Sequence, residues 1–247
     1  MGTYDYVAGK KRINEILRDK IEIIESDRIP NDENFTFSNA YKGWVTAIFI
    51  DIRKSSVLFA EEDKEKMAKV IRSFTSEVIE IVRNSENLRE IGIRGDCVYS
   101  IYATPTQNDI HEIYTYAYII NSFMKMLNKL TCAKSLPQIE VGIGIGTSKE
   151  LVVKAGRKDT GINNKVWIGE AVTKASNLSS LGNKGKYSPI VMSSLTYSNI
   201  IDIIIKGSGE KAREWFTKTS TNEYGIIYDC SIIDTTFVEW INNGMGG

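Results

Sequence analysis

Apolar residues at Ile13, Ile16, Leu17, Ile21 and Ile24 recur at helical spacing through residues 10–29, and Pro30 stops the run. A polar stretch, residues 31–39, leads to the almost unbroken apolar segment WVTAIFI (44–50), the pattern of a central strand covered on both faces. Residues 63–84 return to helical spacing, with Met67, Val70, Ile71, Phe74, Val78 and Ile81 on one side. Two short β-branched segments, 90–93 and 97–102, flank Arg94-Gly95-Asp96 and predict a hairpin. A second long helix is predicted over 108–130, from Ile110, Ile113, Ala117, Ile120, Met124 and Leu127. Next comes IEVGIGIG (139–146), where alternating glycines predict a strand approached closely by another backbone or a ligand. After a polar loop at 158–164, the pattern predicts a strand at 166–168, a helix over 169–181, a strand at 190–192, and a closing pair at 214–219 and 224–232. Hairpins set between helices predict an α+β sandwich of ferredoxin-like type, a mixed and mostly antiparallel sheet with helices packed on it.

At 247 residues the chain is long enough for one large domain. The predicted organisation is an N-terminal helix and linker over 1–40, a main domain over 41–232 and a tail over 233–247. Lys plus Arg balances Asp plus Glu, 31 against 31, so no charge field points to nucleic acid or to an anionic membrane. No apolar run reaches the length of a spanning helix, and the first residues lack the apolar core of a signal peptide. Three scattered cysteines, Cys97, Cys132 and Cys230, read as reduced thiols of a cytoplasmic protein. With His111 as its one histidine, and that read as a surface residue, the chain must work with carboxylates, cations and metal.

Two carboxylates stand where strands give out. Asp51 follows the 44–50 run, and Asp96 sits in the Gly95 turn. Taken alone, either is accounted for as a turn residue. If their strands are neighbours, both project from one sheet edge, where divalent cations could bridge them for phosphoryl or nucleotidyl chemistry.

An Asp-Ile after a buried strand, a Gly-Asp hairpin turn, a GIGIG strand, and a short strand running into IGEAVTKASNLSSLG together resemble the class III nucleotide cyclases over residues 43–230. The resemblance implies the class III sandwich and two cations, Mn²⁺ or Mg²⁺, held by Asp51, Asp96 and the backbone carbonyl of Ile52. It also implies a homodimer with sites across the two-fold interface. Departures from the family pattern are informative. The Lys that reads a purine base falls at Gly92, and its Asp or Thr partner falls around Val166 and Trp167. The Asn and Arg of the last helix fall at Thr173 and Asn177, which donate hydrogen bonds but bring no charge. Arg94 and Lys218 are the candidates for the missing cation, with a turn or salt-bridge residue and a solvated strand Lys as their plain alternatives.

Metal carboxylates retained beside lost purine determinants resemble the pyrimidine cyclases of bacterial anti-phage (Pycsar) systems. That resemblance implies conversion of UTP to 3′,5′-cyclic UMP, a messenger for a separate effector that this chain need not touch. Tyr41, ten residues before Asp51, resembles the Tyr that uridylate-making members set against the base, or else packs beside Trp44. Three other readings stay open: the same chemistry on CTP, a catalytically weak cyclase-like dimer that binds nucleotide, and a ferredoxin-like interaction module. The set carried forward is Asp51, Asp96 and Asn177 as catalytic, Tyr41, Arg94, Thr173 and Lys218 as substrate-binding, and Asp51, Ile52 and Asp96 at the metals.

Overall fold

A computed structural model describes residues 3–61, 63–158 and 160–246. Helix α1 (Tyr6–Arg18) is capped by Asp5, whose carboxylate accepts the amides of Val7 and Ala8. It ends well before Pro30, contrary to the spacing of its apolar residues. The β-branched run beyond it forms β1 (Glu22–Glu25) instead, paired in parallel with the start of β2 (Asn39–Ile52). An edge of β2 was open there, and its unpaired amides and carbonyls give isoleucine-rich chain more than a further helical turn could. The stripe of α1 thus loses its expected continuation, and Ile13, Ile16 and Leu17 are exposed.

After β2 come α2 (Ser55–Glu61) and α3 (Lys64–Val82), then the hairpin β3 (Leu88–Arg94) and β4 (Cys97–Ala103). The 27-residue α4 (Gln107–Ala133) opens on a capping box of Thr106 and Asp109. Strand β5 (Val141–Gly156) runs ten residues past the predicted segment and turns back as β6 (Asn163–Ile168) into α5 (Ala171–Ser179). β7 (Ile190–Ser193) leads into α6 (Ser194–Ser208), a helix the sequence pattern leaves unassigned. Its isoleucine run reads equally as strand, and only packing of Ile200, Ile201 and Ile204 against the core decides the matter. The strand expected at 214–219 begins later. Gly209, at φ 86°, ends α6 and a 3₁₀ turn over Glu210–Trp215 buries Ala212 before β8 (Thr217–Thr221). β9 (Gly225–Cys230) and α7 (Thr235–Asn242) close the described chain.

The central path of the sheet is β3-β4-β2-β5-β7-β9-β8, with β1 added on β2 and β6 on β5. Among the described residues only β1/β2 and β5/β7 are parallel, so the expected α+β sandwich with a mostly antiparallel sheet is what forms. Alternation along β2 divides its two faces. Ile48, Ile50 and Ile52 enter a large core with α3, α4 and α6, while Val45, Ala47 and Phe49 face α5. On the second face the GIGIG glycines explain themselves. A Cβ on Gly142, Gly144 or Gly146 would stand 2.1, 2.0 or 2.4 Å from the α5 backbone carbonyls of Ser179, Ala175 and Ala171. The helix therefore lies directly on the strand, with no side-chain layer between.

Candidate active site

Register brings the two carboxylates together. Asp51 is the Cα partner of Cys97 on β4, and Asp96 occupies the two-residue loop just before Cys97. That loop places Gly95 at φ 64°, the left-handed first position that glycine fills in a tight hairpin. Asp51 shares the α5 face with Phe49, two residues earlier on β2. Burial pushes its carboxyl pKa up, the Arg53 guanidinium opposes that, and the negative charge of Asp96 reinforces it. Between them, Cys97 is held up at about 12 by burial and the same two carboxylates, so its thiol keeps its proton.

One oxygen of Asp96, Oδ2, is buried and has no hydrogen-bond partner among the described residues. A carboxylate oxygen left bare beside a second, desolvated carboxylate suits a hard divalent cation. Asp51, Asp96 and the carbonyl of the adjoining Ile52 are oxygen donors of the right kind. Among the described residues no group of three or more His, Cys, Asp or Glu converges, here or elsewhere, so the donors at this site are two carboxylates and a backbone carbonyl.

Arg53 was not singled out from the sequence. Its guanidinium bonds the Asp51 carboxylate and donates 2.8 Å to the carbonyl of Ser180, the residue that caps α5. Its side chain is only 11% exposed, against 27% for Asp51. One cation thus ties the candidate metal ligand to the end of the helix that carries Thr173 and Asn177. The only available sequence signal was its place, two residues beyond Asp51 and so on the same side of the extended chain.

Thr173 and Asn177, one helical turn apart, line a cleft of about 430 Å³ with Gly169, Glu170, Lys174, Glu223 and Tyr224. Neither Asp51 nor Asp96 lines it. Glu150, fully buried on β5, secures the other end of this helix. Its Oε1 accepts the Ala171 amide at 2.7 Å and the Ser148 hydroxyl at 2.5 Å.

Matches to known proteins decide the family. Residues 38–217 match the adenylate and guanylate cyclase catalytic domain. A uridylate cyclase of Treponema porcinum is 51% identical over 98% of this chain and 82% of its own, and one of Gulbenkiania mobilis is 30% identical over 92% and 91%. The chain belongs to the class III nucleotide cyclases. The adenylyl cyclase CyaB of P. aeruginosa shares the fold, with a TM-score of 0.62 at 20% identity over 79% of this chain and 96% of that one.

Within this cyclase the other predicted residues are spread over the sheet. Arg94 is exposed at the end of β3, paired with Cys97 and so beside the carboxylates. Tyr41 shares the β2 face of Asp51 but lies ten residues away along the strand, its ring edge-on to Phe35 and its hydroxyl donating 3.3 Å to the Asn34 carbonyl. Lys218 is the exception. It is the Cα partner of Tyr228, whose ring stacks on Tyr197 of α6, so both side chains stand on the face opposite α5. The structure does not bring Lys218 to the side that carries the carboxylates. Spacing alone could not place it, because a shift of one residue in an edge strand reverses the face.

A group the sequence indicated only as vacancies fills the space where the purine determinants are missing. Tyr99, opposite Gly92 in the hairpin, stacks on Phe49 with centroids 5.1 Å apart. Its hydroxyl and the indole nitrogen of Trp167 both donate to Glu90, at 2.9 and 2.7 Å. His111 is half-buried beside Tyr114 rather than on the surface. No helix among the described residues is long and apolar enough to cross a membrane.

Proposed function

We propose that this cyclase converts UTP to 3′,5′-cyclic UMP and diphosphate, with Asp51, Asp96 and the Ile52 carbonyl holding two divalent cations, Mn²⁺ or Mg²⁺. The observation that carries the base choice is Gly92. It leaves no side chain to read a purine, and Tyr99 already covers it. Kinship with two proteins named uridylate cyclase supports the same reading.

In the reaction the ribose 3′-hydroxyl gives up its proton to solvent and its oxygen bonds the α-phosphorus. The bond from that phosphorus to the bridging oxygen breaks, and diphosphate leaves. The cations, when bound, supply acidity to the hydroxyl and charge to the leaving group. The protein supplies position. Thr173 and Asn177 donate hydrogen bonds to ribose or phosphate, and Arg94 and Arg53 bring the positive charge that the last helix lacks. Because the Thr173–Asn177 cleft does not include the carboxylates of its own chain, each site joins the carboxylates of one subunit to the α5 face of its two-fold partner. The setting we infer is a cytoplasmic messenger system of anti-phage defence, in which cyclic UMP acts on a separate effector.

Purified protein with Mn²⁺ and each of the four nucleoside triphosphates, products resolved by mass, tests the reading. Cyclic UMP should dominate. A higher rate with ATP or GTP would overturn it, and a higher rate with CTP would keep the chemistry and replace the base.

A further inference from the structure

Glu90 and Gly92 lie two residues apart on β3 and therefore face the same way. Tyr99 covers both. A Cβ at Gly92 would come within 2.7 Å of the Tyr99 ring carbon Cζ and of its hydroxyl oxygen. The ring cannot retreat, being stacked on Phe49 and tied to Glu90. Glu90 in turn is held from both sides, Oε1 by the Tyr99 hydroxyl and Oε2 by Trp167 from β6. Three polar side chains from three strands thus converge where the base-reading position is blank, and all three remain partly exposed.

The direction of these bonds matters more than their number. An indole N–H can only donate, and an ionised carboxylate can only accept. The Tyr99 hydroxyl hydrogen is therefore committed to Glu90, and what the hydroxyl offers to a ligand is its oxygen lone pair. Burial and the Glu90 bond together push the Tyr99 pKa up to about 12, so the hydrogen stays. At ring position N3, uracil carries a hydrogen and neutral cytosine carries a lone pair. An oxygen restricted to accepting bonds the first and repels the second.

We propose that Glu90 fixes the Tyr99 hydroxyl oxygen as an acceptor for the N3–H of uracil, and that this polarity is what selects UTP over CTP. Tyr99 is the residue that touches the base, and Glu90 and Trp167 position it. The proposal rests on the uridylate reading above and adds the groups that make the choice.

The test uses full-length protein and the UTP:CTP ratio of kcat/KM. In Glu90→Gln, Trp167 needs an acceptor and so takes the amide oxygen, which turns the amide NH₂ toward Tyr99. The Tyr99 oxygen then accepts, and its hydrogen is released toward the base, where it matches cytosine N3. The UTP:CTP ratio should fall about tenfold or more, with CTP gaining as UTP loses. Tyr99→Phe removes the reader without inverting it, so the ratio should fall toward unity. N3-methyl-UTP, which lacks the hydrogen, should be a poor substrate for the parent and come within a few-fold of UTP for Tyr99→Phe. A purely structural bridge between β3 and β6 would lower both pyrimidine rates together and leave the ratio where it was. An unchanged ratio in both variants, in a parent that prefers UTP, overturns the proposal and leaves the uridylate reading standing. Equal use of UTP and N3-methyl-UTP by the parent does the same. A parent that prefers CTP or a purine overturns both. If Glu90→Gln fails to fold, as circular dichroism would show, the two Tyr99→Phe arms still decide.

Discussion

Arg53 is the side chain whose removal should say most about the carboxylate pair. It neutralises Asp51 and anchors the α5 cap in one contact, and its Nε is buried without a partner. Arg53→Gln should lower the stability of the metal-free protein by about 1–2 kcal/mol, because a half-buried carboxylate loses its counter-charge. The same variant should show a larger rise in melting temperature on adding Mn²⁺ than the parent, since the cation then meets an Asp51 with no competitor. Equal Mn²⁺ shifts in the two proteins would separate Arg53 from the metal site. His111, the chain's one histidine, permits a second clean test. Burial holds its pKa below 6.5. As pH falls the unfolded chain therefore takes up the proton first, so stability is full above about 6.5 and declines from there down through the folded-state value. His111→Gln should flatten the melting-temperature profile below about pH 6.5. A profile identical to the parent's would mean that the imidazole is solvated in the folded state.

At the scale of elements, what the sequence made legible was whatever local chemistry decides. The β2 run, the Gly95 hairpin and the glycines under α5 each carry their reason within a few residues, and each formed as expected. What stayed hidden depends on distant partners. Isoleucines 23 and 24 join a strand because β2 has a free edge, and those of α6 join a helix because a core awaits them. Arg53 and Glu90 were hidden for the same reason, since their partners lie 127 and 77 residues away. Glu150 belongs with them. The N-cap residue of α5, Glu170, makes no capping bond with its side chain, and Glu150 and Ser148 do that work together from β5, 21 and 23 residues before Ala171. Gly169 leaves room for Glu150, since a Cβ there would lie 2.4 Å from the Glu150 carboxyl carbon. Glu150→Ala should destabilise the protein by about 1–3 kcal/mol, because the Ala171 amide keeps only Ser148 Oγ as its acceptor and the half-buried Ser148 hydroxyl loses its own. It should also slow cyclisation, because α5 presents Thr173 and Asn177. Glu150→Gln, which keeps an acceptor in place, should lose much less. Chemical denaturation of the two variants checks the order, and equal losses would point to the charge rather than the cap.

The whole molecule poses the question of how its halves of a site meet. Asp51 and Asp96 sit at one edge of the sheet, and the Thr173–Asn177 cleft opens beside the β8–β9 turn through Glu223 and Tyr224. If one nucleotide needs both, the proposed two-fold dimer makes two such sites, each with its carboxylates from one chain and its helix from the other. Damage to different halves should then be complementary. With Asp51→Asn in one chain and Thr173→Ala plus Asn177→Ala in the other, a mixed dimer contains one site with every defect and one with none. Either variant alone should be nearly inactive, while the mixed dimer should recover up to about half of the parent rate. Co-expression with two different tags and tandem purification isolates the mixed species, so random pairing does not dilute the result. Arg53 bears on the size of the recovery, because it ties Asp51 to α5 of its own chain. Loss of the Asp51 charge therefore loosens that helix too, and the intact site uses the helix of the Asp51→Asn chain. Recovery somewhat below half fits this coupling. No recovery from a verified mixed dimer would place the whole site within a single chain.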